Sequence, residues 1–211
     1  MRRANAQLQS DRRSEILDAA ARCFARAGFH QTSMQTICAE AGMSPGNVYR
    51  YFRSKEAIIA AISERDLAQA AADFEAVDKA PDFFTGFAAL GRRYLVERKP
   101  EESVLYLDIM AEARRNPEIR RIHESNQTDV RAGLAAILRR AADRGELRRD
   151  LDFDKIVTVI MALGDGLESR RAIDPSFNPE SVIDIVLDLV RYTLTDCKLA
   201  HAGTEENSDE G

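Results

Sequence analysis

The segment from Thr32 to Phe52 constrains the fold more than any other part of the chain, and its sequence is TSMQTICAEAGMSPGNVYRYF. A glycine placed just past a helix adopts the left-handed conformation that ends the helix without a Cβ clash, and Gly42 is in that position. Ser44 is a typical N-cap, and Pro45 suits the first helical position, where a missing N–H costs nothing. The segment therefore predicts two short helices joined by a tight turn.

The first of these helices has a start signal of its own. Thr32 or Ser33 can accept a hydrogen bond from the free amides of the first turn. Gln35, three residues after Thr32, can reach back as in a capping box. We therefore expect the helix to begin at Thr32 or Ser33.

The second helix has two different sides. Val48 and Phe52 are four residues apart and define an apolar side. The other side is rich in hydrogen-bond donors, namely Asn47, Tyr49, Arg50 and Tyr51. An ordinary helical hairpin with a polar surface is one interpretation. The donors favour the other, a helix-turn-helix whose second helix enters the DNA major groove.

The residues around this segment resemble the DNA-binding domain of the TetR/AcrR family of bacterial transcriptional regulators. The resemblance runs from about Ser14 to Ile62 and includes ILDAAARCFARAGF, TSMQTICAEAG and SPGNVYRYFRSKEAI. Cys38 stands where an alanine is more usual, and it keeps a small apolar side chain. The resemblance implies a sequence-specific DNA-binding regulator that is not an enzyme.

The resemblance and the helix faces together imply which residues contact DNA. We expect contacts in the groove from Pro45, Gly46, Asn47, Tyr49 and Arg50. We expect Thr32, Tyr51 and Lys55 to contact phosphates, and the predicted DNA-binding set also includes Gln35.

Charge is divided unevenly along the chain. Its 211 residues carry a formal net charge of −5. Residues 1–56 hold nine Arg and Lys against five Asp and Glu, a net charge of +4, so the remainder carries −9. The basic part coincides with the predicted helix-turn-helix, as expected for a nucleic-acid binder.

Hydrophobic periodicity predicts an all-α protein. We expect an N-terminal three-helix helix-turn-helix DNA-binding domain and a C-terminal helical ligand-binding and dimerisation bundle. The predicted divisions are a flexible arm (1–9), the DNA-binding domain (10–56), the ligand-binding and dimerisation domain (57–199) and a disordered acidic tail (200–211). The arm could instead lie in the minor groove. The first helix should run from Ser10 or Asp11 to Ala27.

The remaining helices follow from apolar spacing and breakers. A long helix capped by Ser54 should leave the DNA-binding domain as a rod that links the two domains. Pro100 should break the next helical pattern. Further helices are predicted over residues 104–115, 118–144, 156–167 and 182–194.

A sensor is expected in the C-terminal domain. The stretch YLDIMAEARRNPEIRRIH, Tyr106 to His123, is similar to the betaine-regulator (BetI) branch of the family. Glu112 or Asp165 could pair with a cationic effector, and aromatic side chains could bind an apolar one. The alternative is that the aromatic and Met side chains are ordinary core, as they more often are at helical spacing, and that the carboxylates are simply exposed. The pocket candidates are Phe84, Phe87, Tyr94, Met110, Glu112, Asn126 and Asp165.

The last two helices are apolar on more than one side, so each needs two neighbours. The family resemblance implies that they form a four-helix bundle with their copies in a second subunit; a buried helix pair in a monomer is the alternative. The interface candidates are Leu167, Val186, Leu189 and Val190.

Other classes of function have little support in the sequence. The histidines His30, His123 and His201 form no metal or catalytic motif, and we expect no catalytic residue, metal or cofactor. Cys23, Cys38 and Cys197 are expected to be reduced, with a redox-sensing thiol as the alternative. No signal peptide or membrane span is apparent, which favours the cytoplasm. The leading hypothesis is a homodimeric, ligand-released repressor of an inverted-repeat operator, and an architectural DNA binder without a sensor is the alternative.

Overall fold

The computed structural model describes residues 2–195, with side chains from residue 7 onward. The predicted acidic tail (200–211), Cys197 and His201 lie outside the described residues. Within the described part, nine α-helices and one short 3-10 helix account for the regular structure, and no strand occurs. The prediction of an all-α fold is confirmed.

The first helix is longer than expected. Helix α1 runs from Arg2 to Gln31, whereas the sequence predicted an arm over residues 1–9 and a start at Ser10 or Asp11. The predicted start was wrong because these residues include good helix formers, and the Gln7 amide donates to Asp11 Oδ1 one turn later at 2.9 Å. Gly28 has φ 73° and interrupts the regular helix, as its position predicted.

Helices α2 (Met34–Glu40) and α3 (Pro45–Tyr51) form the predicted helix-turn-helix. Ser33 is the N-cap of α2, and its hydroxyl accepts from the amide of Thr36 at 3.0 Å. Ser33 takes the cap position, so the predicted box between Thr32 and Gln35 does not form. Gly42 has φ 63°, as the turn requires.

The C-terminal part begins within α4 (Lys55–Lys79), which Ser54 caps as predicted. Pro100 starts a helix here, because proline is compatible with the first helical position. The following helices are α5 (Phe83–Leu95), α6 (Pro100–Ala113), α7 (Pro117–Asp143), α8 (Phe153–Ile173) and α9 (Ile183–Thr195), with the 3-10 helix at Pro179–Ser181 before α9.

Two apolar clusters form the core. The first joins α1, α2, α3 and the start of α4 to residues of α6 and α7, including Leu105 and Ile119. The second joins the end of α4 to α5, α7, α8 and α9. Since the first cluster extends past residue 56, the DNA-binding helices share a core with α6 and α7. A domain boundary at residue 56 stays a prediction.

Candidate nucleic-acid interface

Helix α3 separates its two faces cleanly. Val48 is fully buried, and Phe52, the residue just after the helix, is 3% exposed; both pack in the first cluster with Ile37. The opposite face is open to solvent. Its exposed residues are Pro45, Gly46, Asn47, Tyr49 and Arg50.

The polar side chains of this open face are free. Among the described residues, Asn47, Tyr49 and Arg50 have no hydrogen-bond or ion-pair partner, and Tyr49 is 46% exposed. Free amide, phenol and guanidinium groups can bond to base edges without first breaking an internal contact. We call Asn47, Tyr49 and Arg50 the open face of α3.

The sequence analysis missed one cation. Arg53 follows α3 directly, is exposed, and pairs with no acidic group in the part of the chain that the structure describes. Arg22 and Arg26, by contrast, both bond to Glu40, at 2.8 and 3.1 Å, and hold the pKa of its carboxyl below the usual range. Arg53 is therefore a better phosphate ligand than Arg22 or Arg26. The position of Arg53 immediately after α3 could have indicated this.

Lys55 has an internal contact. Its ammonium donates to the backbone carbonyl of Phe29 at 2.5 Å and lies 4.2 Å from the centre of that ring. This contact ties the start of α4 to the end of α1 next to the helix-turn-helix. The bond to Phe29 uses one of the three N–H groups of the ammonium, and the other two can still reach a phosphate. The phosphate contact of Lys55 therefore stays a prediction. So does that of Tyr51, which is half-buried against the first cluster.

The predicted phosphate contact of Thr32 is wrong. The side chain is 1% exposed, and its hydroxyl lies 2.8 Å from the carbonyl oxygen of Gly28 and 3.1 Å from that of Cys23. Thr32 instead satisfies carbonyls at the end of α1, where Gly28 interrupts the helix. Gln35 is exposed, and its role at DNA stays a prediction.

The described cysteines are poor candidates for redox sensing. Burial raises the pKa of the Cys23 thiol and of the Cys38 thiol, and both side chains lie in the first cluster. A thiol with a raised pKa forms less of the reactive thiolate. Within residues 2–195, no three potential metal ligands come together, and no helix is both long and apolar enough to cross a membrane.

Part of the predicted sensor forms a polar network between helices. The Tyr106 hydroxyl donates to Asp165 Oδ1 at 2.7 Å and accepts from the amide of Gln127 at 3.0 Å. The Arg98 guanidinium lies 6.0 Å from the ring centres of both Tyr106 and Tyr94. Burial, and then the bond to Asp165, raises the pKa of Tyr106. We call Tyr94, Arg98, Tyr106, Gln127 and Asp165 the sensor network.

Two aromatic candidates lie elsewhere. Phe87 is 7% exposed and stacks on Phe83 at 5.3 Å, so it belongs to the core. Phe84 lies 4.5 Å from the guanidinium of Arg191 in α9. Both lie near the start of α5, whereas Tyr94 lies near its end, about 10 to 15 Å further along the axis. The predicted pocket roles of Phe84 and Tyr94 stay predictions.

Two polar candidates join helices instead. The buried Glu112 carboxylate lies 2.8 Å from Nε2 of His30, forms an ion pair with it when the imidazole is protonated, and so links α6 to α1. The Asn126 amide donates to the backbone carbonyl of Ser63 at 3.2 Å and links α7 to α4. Met110 is half-buried on α6, and its role stays a prediction.

An open cleft of about 490 Å³ lies between α1, α4 and α6 and contains none of the predicted pocket residues. Asp18 and Arg65 form an ion pair of 2.6 Å across it. The cleft is lined by Asp18, Arg65, Asp66, Ala68, Gln69 and Glu102.

Helices α8 and α9 leave large apolar side chains in solvent. Their exposures range from 54% to 73%, which is unusual for several large apolar residues on two successive α-helices. We call this set the α8–α9 apolar face: Val159, Ile173, Ile185, Leu189 and Tyr192.

Only one of the four predicted interface residues belongs to the α8–α9 apolar face. Leu189 belongs to it, and Leu167 and Val186 are half-buried. Val190 is only 6% exposed, so its prediction as an interface residue is wrong. Val190 and Leu194 are four residues apart, so they lie on the same side of α9 and pack in the second cluster. Leu189 lies on the other side and points into solvent.

Comparisons with known proteins agree with this architecture. Residues 16–62 match the model of bacterial regulatory proteins of the tetR family, and residues 89–195 match that of the BetI-type transcriptional repressor C-terminal domain. The HTH-type transcriptional regulator UidR of Escherichia coli K12 is 33% identical over 66% of this chain and 71% of its own. The HTH-type transcriptional repressor AcnR of Corynebacterium efficiens is 28% identical over 85% of this chain and 92% of its own. Among solved structures, Salmonella enterica GusR superposes with a TM-score of 0.75 and 30% identity, covering 89% of this chain and 96% of that one.

Proposed function

The chain belongs to the TetR family of bacterial regulatory proteins, and we propose that it is a repressor that binds an inverted-repeat operator as a homodimer and is released by a small molecule. As a DNA-binding transcriptional regulator, it is not an enzyme. It acts in the cytoplasm, where bacterial DNA is found. The names of the BetI-type and AcnR relatives support repression rather than activation.

One observation carries the proposal of specific DNA binding. The open face of α3 presents Asn47, Tyr49 and Arg50 without internal partners, on a helix fixed to the core by Val48. Asparagine pairs well with adenine and arginine with guanine in the major groove. The open face of α3 therefore has the chemistry to distinguish bases.

Selection of binding sites from random DNA with the purified full chain tests this proposal. The expected product is one enriched inverted repeat with half-sites about 34 to 36 Å apart, or a multiple of that spacing. A pool that shows no enrichment after repeated rounds would contradict specific binding. An enriched site without symmetry would contradict the two-fold arrangement alone.

The proposal of a homodimer rests on the α8–α9 apolar face. Five large apolar side chains in solvent are stabilised when a second copy covers them, and a two-fold axis brings the same face of each copy together. Light scattering should give a dimer at micromolar concentration. Leu189→Glu should give a folded monomer because Leu189 is outside the protomer's core, whereas Val190→Glu should unfold the chain.

Release by an effector requires coupling between the two ends of the molecule. The family resemblance and the sensor network support an apolar or cationic effector among α4 to α8. The proposed route includes α4, which contributes to both apolar clusters, and α6, which contacts α1 through Glu112 and His30. Coupling of this kind typically changes operator affinity five- to 150-fold, or about 1 to 3 kcal/mol.

His30→Ala tests the α6 route. It leaves the buried Glu112 carboxylate without its partner, which should lower the free energy of unfolding by about 1 to 3 kcal/mol. Operator affinity should change, with no change in its salt dependence. Arg12→Ala is the control, since Arg12 pairs with Glu15 within α1 alone. Unchanged operator affinity in His30→Ala would remove α6 from the proposed route.

A further inference from the structure

Two buried polar groups between α6 and α8 have no partner. Ser103 is fully buried and Glu168 is 5% exposed, and neither Ser103 Oγ nor Glu168 Oε2 makes a hydrogen bond among the described residues. Glu168 also forms no ion pair there. A carboxylate oxygen buried without a hydrogen bond is unfavourable, so the retention of Glu168 here calls for an explanation.

The neighbouring contacts show that these two groups are at the same level of the two helices. Tyr106 of α6 bonds to Asp165 of α8 at 2.7 Å. Further along α8, Arg171 donates to the carbonyl of Val96 at 3.1 Å and to that of Arg98, just before α6 begins. The helices are therefore antiparallel.

The register of this antiparallel pair places the groups together. Ser103 comes one turn before Tyr106, and Glu168 comes one turn after Asp165. Residues three apart lie on the same side of a helix. Ser103 and Glu168 therefore face each other across the two helices, one turn away from the bond between Tyr106 and Asp165.

The groups around this site favour a positively charged partner. Asp165 and Glu168 contribute two carboxylates, and the Tyr106 ring is close to Asp165. The nearby cations have other partners, because Arg171 bonds to backbone carbonyls and Arg98 lies 3.6 Å from Glu102. No cation among the described residues pairs with Glu168.

The unpartnered oxygens also call for a hydrogen-bond donor. A protonated amine or amidine supplies both positive charge and N–H groups. A quaternary ammonium supplies the charge alone and would leave Glu168 Oε2 and Ser103 Oγ without a hydrogen bond. The site should therefore distinguish these two kinds of cation.

We propose that Glu168 and Ser103 anchor the effector by accepting hydrogen bonds from its protonated amine or amidine group, next to Tyr106 and Asp165. This inference rests on the proposed function, in which a small molecule controls operator binding. The proposed effectors are organic cations whose charged group carries N–H hydrogens.

The first test measures the protein without ligand. Glu168→Gln keeps the shape and removes the unpaired charge, so it should raise the melting temperature by about 2 to 4 °C. Glu124→Gln is the control, because Glu124 is exposed on α7 and its side chain has no hydrogen-bond or ion-pair partner among the described residues. A Glu168 with a purely structural role would give the opposite sign, and a lower melting temperature for Glu168→Gln would overturn the proposal.

The second test uses matched cations on the full chain. Benzylamine, phenethylamine and benzamidine should raise the melting temperature and weaken binding to the selected operator, whereas benzyltrimethylammonium should act about tenfold more weakly or not at all. Glu168→Gln and Ser103→Ala should reduce amine affinity about ten- to a hundredfold. The proposal is overturned if none of the three amines acts, if the quaternary ion acts equally, or if Glu168→Gln responds like the wild-type protein.

Operator binding without ligand separates this inference from the proposed function. If the wild-type chain binds its selected operator but amine binding does not depend on Glu168, only the inference is wrong. If the wild-type chain selects no operator, the proposed function itself is wrong.

Discussion

The open face of α3 and the sensor network use polar side chains in opposite ways. On α3, Asn47, Tyr49 and Arg50 point into solvent with no internal partner among the described residues. In the sensor network, Tyr106 is bonded to both Asp165 and Gln127. The first arrangement is ready for an external partner, and the second must exchange internal bonds to accept one.

This difference suggests a division of labour. A surface with free donors can bind DNA with little rearrangement, so affinity is not reduced by internal competition. A network that changes partners has two arrangements, and a ligand that prefers one of them shifts the equilibrium. The unpartnered Ser103 and Glu168 are the exception within the sensor region, which is why we place the effector there.

The largest expected effect tests whether Phe87 belongs to the core or to the sensor. Phe87→Ala should lower the free energy of unfolding by about 3 to 5 kcal/mol, because the ring is buried against Phe83. Chemical denaturation measures this loss. Tyr49→Ala is the matched aromatic control and should change stability by less than about 0.5 kcal/mol. A small loss in Phe87→Ala would mean that Phe87 lines an adaptable cavity and that the sensor extends to the start of α5.

The next effect concerns base recognition by the open face of α3. Arg50→Ala should cost about 1 to 3 kcal/mol at one base position and leave the melting temperature unchanged, since Arg50 has no internal partner among the described residues. Competition binding with single-base variants of the selected operator measures this loss. A uniform loss on every sequence would show that Arg50 contacts a phosphate rather than a base.

The same contrast explains what could be predicted from the sequence. The two sides of α3 follow from residue spacing within a seven-residue helix, so Val48 was correctly separated from Asn47 and Arg50. Thr32 was misassigned because its partners, Gly28 and Cys23, belong to the preceding helix. A hydroxyl can bind a phosphate only when it is exposed, and the sequence near Thr32 does not show that its side chain is buried against the end of α1.

The sensor and the dimer face depend on contacts between distant segments. The bond between Tyr106 and Asp165 joins residues 59 positions apart, and local periodicity carries no information about it. Val190 and Leu189 are adjacent apolar residues, and only the docking of α9 decides which one is buried. Fold class and the order of the helices could therefore be predicted, whereas the start of α1 and the contacts between distant helices could not.

A smaller effect separates two cations near α3 that differ in their internal contacts. Arg53→Ala should weaken binding to all sequences and reduce the slope of log affinity against log salt by about 0.9, with no loss of stability. Lys55→Ala should also lower the melting temperature, because it removes the bond to the Phe29 carbonyl. Filter binding at several salt concentrations measures the slope. An unchanged slope in Lys55→Ala would assign Lys55 a structural role only.

The smallest expected effect is a pH dependence that originates in His123, whose ring centre lies 6.4 Å from that of Tyr106 in the sensor network. Burial lowers the pKa of His123, and Asp165 and Glu124 oppose the shift only in part. The neutral imidazole therefore stabilises the fold above the unfolded-state pKa of about 6.5, and this stability is lost as the pH falls from there through the lower folded-state pKa. His123→Gln should flatten the fall in melting temperature between about pH 7 and pH 5, and it should make no difference to the slope above pH 7.5. If the two proteins lost stability equally on acidification, His123 would be as accessible as the open face of α3, and the contrast between the two regions would not extend to α7.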